Sequence, residues 1–296
     1  MKILTSIAAA IALAMPFGAK ADNQQKKDAV LTVHFGTTHD GTRQKTIDAI
    51  NRLVSDSLGN NFTTAEAYSS RIVRRRLAAR GISKPTPREA LLRLAADGYK
   101  NVFIQPTYLL DGVEYQALCN EAAQLKPFFD ELQIGLPLLA TTDDSQRVVD
   151  LLAQRYANLA EGKNHVVFVG HGSPSGANAI YSQLDYMFAA GGFPNIHVAT
   201  VEGYPTFDTM LARLTDAHHV TLIPLLFVAG DHAANDIATD WRQALEDAGY
   251  EVDVVIEGLG ENPDIQQIYL DHLGQAIARE VPDADQIKRQ SIAEAE

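Results

Sequence analysis

Cysteine is almost missing from this chain: Cys119 stands alone among 296 residues. That excludes an intramolecular disulfide framework and any metal cluster built on cysteines. Basic residues are scarce as well, with 25 Lys and Arg against 37 Asp and Glu, a formal net charge of −12. Binders of nucleic acid or of anionic membrane surfaces need the opposite balance, so neither partner is expected. No apolar run reaches the ~20 residues a spanning helix requires. Several catalytic signatures are absent too. There is no Gly-x-x-x-x-Gly-Lys-Ser/Thr phosphate loop, no Gly-x-Gly-x-x-Gly opening a first helix, and no His-Glu-x-x-His. Gly170-His-Gly-Ser-Pro-Ser-Gly176 does not form a Gly-x-Ser-x-Gly elbow, because Pro174 stands where the nucleophile belongs.

What is present divides the chain into a leader and a two-part body. Lys2, the apolar stretch Ile3 to Phe17 and Ala19-Lys20-Ala21 follow the pattern of a cleavable signal peptide. Residues 1–21 are therefore expected to be removed and the protein to be periplasmic, without a membrane span thereafter. Loss of Lys2 and Lys20 leaves 23 basic against 37 acidic residues, a mature net charge of −14. In an oxidising compartment Cys119 is then buried, or it pairs between chains. The remaining length suits two medium domains. Residues 22–145 are read as an N-terminal α/β domain and 146–263 as a C-terminal one, with a last helix, within 264–296, crossing back onto the first.

Val30 to Phe35, Val102 to Gln105, Val166 to Val169, Val220 to Ile223 and Val252 to Ile256 read as strands. The first four are short, β-branched and mostly non-alternating, as buried parallel strands are. Helical patterns such as Arg88 to Gly98 lie between them, which gives βαβ units and a parallel-sheet α/β fold. Four matches suggest that the two halves are repeats. Gly36 and Gly172 each follow a strand, Glu66-Ala-Tyr68 resembles Glu202-Gly-Tyr204, Pro106 to Gly112 resembles Pro224 to Gly230, and Ile134-Gly-Leu-Pro137 resembles Glu257-Gly-Leu-Gly260. The repeat aligns Phe35 with His171 and Glu114 with His232, all near the C-terminal strand edges where open α/β sheets bind ligands. If the halves face each other about a pseudo-twofold axis, His171, His232 and Glu114 converge as a site for a borderline divalent metal.

Each of the three has a plainer alternative: a hydrogen-bonded histidine at a strand end, or a solvated loop carboxylate. His165, His197, His218 and His219 fall at strand starts and His272 in a late helix, which suits structural roles; His34 and His39 stand close enough to the site to support it. Arg71, Arg74, Arg75, Arg76 and Arg80 lie on a helix expected after Ser69-Ser70. They are either a solvated face or, with Arg43, clamps for the carboxylates of an anionic ligand. Ser69, Glu202 and Tyr204 are further candidates for contact with that ligand.

His34-Phe-Gly-Thr-Thr38, Gln105-Pro106, Gly112-Val-Glu-Tyr115, Gly170-His-Gly172, Val201-Glu-Gly-Tyr-Pro205, Val228-Ala-Gly-Asp-His-Ala-Ala-Asn-Asp236 and Gly258-Leu-Gly-Glu-Asn262 together resemble the anaerobic sirohydrochlorin cobaltochelatases. These belong to the single-subunit class that includes ferrochelatase. The likeness runs from about Val30 to Ala278. It implies two flavodoxin-like domains with a cleft, a tetrapyrrole substrate, Co²⁺ or Fe²⁺ as the metal inserted, and a lyase activity. Matched motif to motif, the family's two histidines and glutamate fall on His171, His232 and Glu114. The chain departs from the pattern at Tyr108, where members often carry a His, and after Asp236, where the acidic stretch is short. Export suggests a second reading, a carrier of metal, tetrapyrrole or bound haem with the same cleft; a homo-oligomer is expected in either case. A generic solute-binding protein shares the cleft but gives no reason for the two imidazoles.

Overall fold

The computed structural model describes residues 27–230 and 233–279. Strands β1 (Lys27–His34), β2 (Thr63–Tyr68), β3 (Tyr99–Pro106) and β4 (Glu131–Ile134) form one parallel sheet in the order β2-β1-β3-β4. Strands β5 (Asn164–Gly170), β6 (Ile196–Thr200), β7 (His219–Pro224) and β8 (Glu251–Val254) form a second, in the order β6-β5-β7-β8. The two orders are the same, so the halves are structural repeats. The proposed leader and the tail beyond Arg279 lie outside the described residues.

The central strands are apolar on both faces because helices cover both. Ala29, Leu31 and Val33 of β1 point into one core, and Val30 points into another. In β5 the same division separates Val167 and Val169 from Val166 and Phe168. The cluster containing Val30, Val166 and Phe168 is shared by both halves and includes Leu138, Leu152, Phe227 and Tyr269. A continuous apolar core between two units opposes free hinge motion, which is the default only when the interface is small and polar. Side-chain caps start several of the helices. Thr86 and Glu89 form a capping box ahead of Pro87–Ala96, Thr141 and Asp144 form another ahead of Thr142–Tyr156, and Ser70 accepts from the Val73 amide ahead of Arg71–Ala78. Each such cap contributes about 1 kcal/mol.

The helix Pro263–Ala278 leaves the second half and packs on the first. The Tyr269 hydroxyl lies 3.3 Å from the carbonyl oxygen of Thr107 and 3.2 Å from that of Tyr108. His272 reaches Leu136 O through Nδ1 and Asp144 through Nε2, both at 3.2 Å.

Three strands are not evident in the sequence. In β2, Thr-Thr-Ala-Glu-Ala-Tyr has little apolar content; β4 has four residues and β6 five. At the other end, β1 stops at His34, which leaves Phe35 in the following loop. Two of the four repeat matches are also out of register. His34 pairs with Tyr68 and Gly170 with Thr200, so Glu66 corresponds to Val198 and not to Glu202. Leu138 and Leu259 donate to the equivalent carbonyls of Tyr108 and Leu226, which shifts the Gly-Leu match by two residues. The strand-end glycines and the Pro-to-Gly segments do hold: Val33 pairs with Pro106 as Val169 pairs with Pro224.

Candidate functional site

The two halves meet through loops at the C-terminal edges of their sheets, and they do so reciprocally. A methyl group placed on Gly112 would lie 3.6 Å from Ser173 Oγ, and one placed on Gly230 would lie 3.5 Å from Thr37 Oγ1. Gly112 is the repeat counterpart of Gly230, and Ser173 that of Thr37. Each half therefore presents the same two loops to the other, which is the signature of a twofold relation. Thr42 adds a contact across the same seam by donating to Ala229 O at 3.5 Å.

His171 follows β5 by one residue and lies in this seam, partly exposed. Gly172 takes φ +93°, and a side chain there would overlap the carbonyl oxygen of Glu202. The Glu202 amide donates to His171 O at 2.7 Å. Asn178 ties the same loops together, accepting from the Ser173 amide at 3.0 Å and donating to Tyr204 O at 2.7 Å. His171, Glu202 and Tyr204 are thus gathered on one wall, Glu202 and Tyr204 with exposed side chains. Asn178 has no sequence signal, because an isolated amide at a helix start is common.

Glu114 comes from the other half. It occupies the second position of the helix Val113–Leu125, where the helix dipole favours a carboxylate, and not a strand-end loop. Its N-cap, Gly112, is the residue that meets Ser173. Tyr181 lies against Gly170 and beside the Gly172 backbone; its hydroxyl is pushed up to about 12, mainly by burial, with Glu114 adding to the effect. Glu114 therefore approaches the His171 loop from the opposite wall. His232 lies outside the described residues, and among those described no three His, Cys, Asp or Glu side chains form a ready-made metal cluster.

The remaining candidates lie on the N-terminal wall, beside the loop after β1. Ser69 donates to His34 O through its amide at 2.8 Å, and the Ser70 amide donates to Phe35 O at 3.2 Å. Arg71 is exposed at the start of the helix Arg71–Ala78. Arg43 is half-buried and 3.5 Å from Asp48, while Arg80 is occupied by Thr38 O and Asp40, so neither matches a free clamp. Beneath this wall His34 is fully buried. Asn51 Oδ1 accepts from Thr32 at 2.7 Å and lies 3.1 Å from His34 Nε2, while its amide nitrogen donates to Glu66. An acceptor at Asn51 requires the proton on Nε2, which leaves Nδ1 to accept from the Thr107 hydroxyl at 2.9 Å. Burial lowers the His34 imidazole to about 4.

Residues 28–278 match the family model described as cobalt chelatase (CbiK). The chain belongs to the cobalt chelatase family. It is 38% identical over 264 residues to the sirohydrochlorin cobaltochelatase of Salmonella typhimurium, covering 87% of this chain and 99% of that one. It is 31% identical over 263 residues to the sirohydrochlorin cobaltochelatase CbiKC of Nitratidesulfovibrio vulgaris, covering 85% and 91%. The fold is also that of SirB from Bacillus subtilis with Fe³⁺, at a TM-score of 0.62 and 15% identity over 86% of this chain and 97% of that one. SirB from the subspecies spizizenii in complex with cobalt aligns at 0.59 and 15% identity, over 84% and 95%.

In this cobalt chelatase family member the opposite sheet edge has a different character. His165 Nδ1 and His197 Nε2 are 2.8 Å apart at the starts of β5 and β6, both buried, and burial lowers both. Cys119 is half-buried beside Tyr115, and burial raises its thiol. Tyr108 is buried, and burial raises its hydroxyl, with Glu114 and Glu121 adding to the effect and Ser69 opposing it.

Proposed function

We propose that this chain inserts Co²⁺ into sirohydrochlorin, with Fe²⁺ as a second substrate metal, in the cleft between its two halves. The single observation that carries the reading, beyond family membership, is the reciprocal pairing of Gly112 with Ser173 and of Gly230 with Thr37. It holds the His171 wall against the helix start that bears Glu114.

Insertion exchanges one divalent ion for the two N–H protons of the free macrocycle, so the site must deliver a metal and accept two protons. The His171 imidazole can hold the ion through one ring nitrogen without closing its coordination sphere. His232 shares delivery and proton acceptance in this proposal. Glu114 serves as third ligand or proton acceptor from the facing wall. Glu202, bonded through its backbone to His171, would contact the substrate from the near wall. Arg71, Ser69 and Tyr204 would contact the substrate carboxylates at the rim, where local groups must overcome the acidic surface. The chain would work in the periplasm after loss of residues 1–21.

The test is anaerobic incubation of purified protein with sirohydrochlorin and either Co²⁺ or Fe²⁺, followed by absorbance. Conversion to the metallated spectrum well above the protein-free rate is expected with Co²⁺. A protein that shows a Soret band as isolated, yet never speeds insertion, would instead be a carrier with the chelatase fold.

A further inference from the structure

The two walls of the cleft are built by the same loop, yet they are chemically unlike. His171 and Phe35 occupy equivalent positions, each one residue past the strand that lies second in its sheet and one residue before a glycine of positive φ, +93° at Gly172 and +100° at Gly36. Each also stands two residues before the residue that crosses the seam, Ser173 or Thr37. One wall thus offers an imidazole, and the other offers a hydrocarbon ring with no ligating atom.

Phe35 is 46% exposed, although its neighbours His34 and Thr37 are buried. The loop fixes it there. A side chain on Gly36 would strike the Tyr68 ring, Ser70 holds the Phe35 carbonyl, and His34 is locked below by Thr107 and Asn51. A single exposed ring is ordinary on a protein surface, but this one is held by a rigid loop at the position equivalent to His171, where covering it with an apolar partner would be favourable. Val113, on the same half and at the head of the helix bearing Glu114, is a second exposed apolar side chain, at 51%.

We infer that Phe35 is the stacking surface for the tetrapyrrole, so that the macrocycle rests on the N-terminal wall and receives its metal from the His171 wall. The inference rests on the chelatase reading and adds to it an orientation: ring on one half, metal on the other. An aromatic face against a flat conjugated ring gains both buried area and an offset-stacking term.

The experiment measures two affinities separately, without turnover: metal-free sirohydrochlorin by fluorescence titration and Co²⁺ alone by calorimetry. Phe35→Ala should weaken tetrapyrrole binding by roughly 5- to 30-fold, the range expected from losing a stacked ring. Phe35→Trp should restore it, and neither change should move Co²⁺ affinity by more than about twofold, since the metal wall is untouched. Unaltered tetrapyrrole affinity in a folded Phe35→Ala protein, with the wild type binding normally, would overturn the orientation but leave the chelatase reading standing. Parallel loss of Co²⁺ and tetrapyrrole affinity in that variant would also overturn it, by placing the ring and the metal on one wall. A wild-type protein that binds no tetrapyrrole would refute the chelatase reading itself.

Discussion

His34 shows how a residue beneath the site sets a pH limit on the fold. Burial lowers it to about 4 from an ordinary 6.5, a larger effect than the opposing pull of Glu66 and Asn51. The folded protein therefore favours the neutral ring. Its contribution to stability is complete above pH 6.5 and is lost as pH falls from 6.5 towards 4, because the unfolded chain takes up the proton first. The linkage is worth about 3 kcal/mol over that window. His165 and His197 are also lowered and act in the same direction. Urea midpoints at pH 7.5 and 4.5 should thus fall further for the wild type than for His34→Gln, which cannot titrate. Equal losses in the two proteins would show that His34 is not held neutral.

Among elements, the turn after β5 carries the most information. Gly172 is confined twice, by φ +93° and by the Glu202 carbonyl against its Cα. Gly172→Ala should cost about 2 kcal/mol or more and displace His171, so Co²⁺ affinity and thermal stability fall together. Gly274 provides the control: it lies in the helix Pro263–Ala278 with open space around it, and Gly274→Ala should stabilise by up to about 1 kcal/mol. A harmless Gly172→Ala would mean that the interlock with Glu202 is not structural. This turn was legible in the sequence, because Gly-His-Gly after a Val-rich strand is an uncommon pattern. The strand β2 was not, since its side chains are mostly small or polar and its pairing with β1 is settled by the helices around it. The likeness of Glu66-Ala-Tyr68 to Glu202-Gly-Tyr204 misled for the same reason: one segment lies in a strand and the other past a strand end, and residue type alone cannot tell them apart. Glu114 was found through the Pro-to-Gly match, but its place at a helix start and not in a loop emerged only from the structure.

For the whole molecule, the shared core around Leu138, Phe168, Phe227 and Tyr269 means the cleft is built into the fold and not assembled by domain closure. In the proposed orientation, metal would pass from one half to a ring on the other without domain movement. The acidic surface repels a polycarboxylate and attracts cations, which suits a protein that collects a divalent ion and relies on local contacts for the ring. Export is a separate proposal with its own check. Intact-mass analysis of protein recovered from the periplasm should show a chain beginning at Asp22, and a full-length chain confined to the cytoplasm would contradict it.

In the proposed function a duplicated scaffold brings His171 to a cleft where metal enters a tetrapyrrole. Its most direct test is the anaerobic rate of Co²⁺ insertion into sirohydrochlorin by His171→Ala beside the wild type, with circular dichroism and unfolding midpoint measured on both. A loss of at least about 100-fold with the fold unchanged is expected, as when a group acting on the reacting atoms is removed. A folded His171→Ala protein that inserts cobalt at the wild-type rate would contradict it.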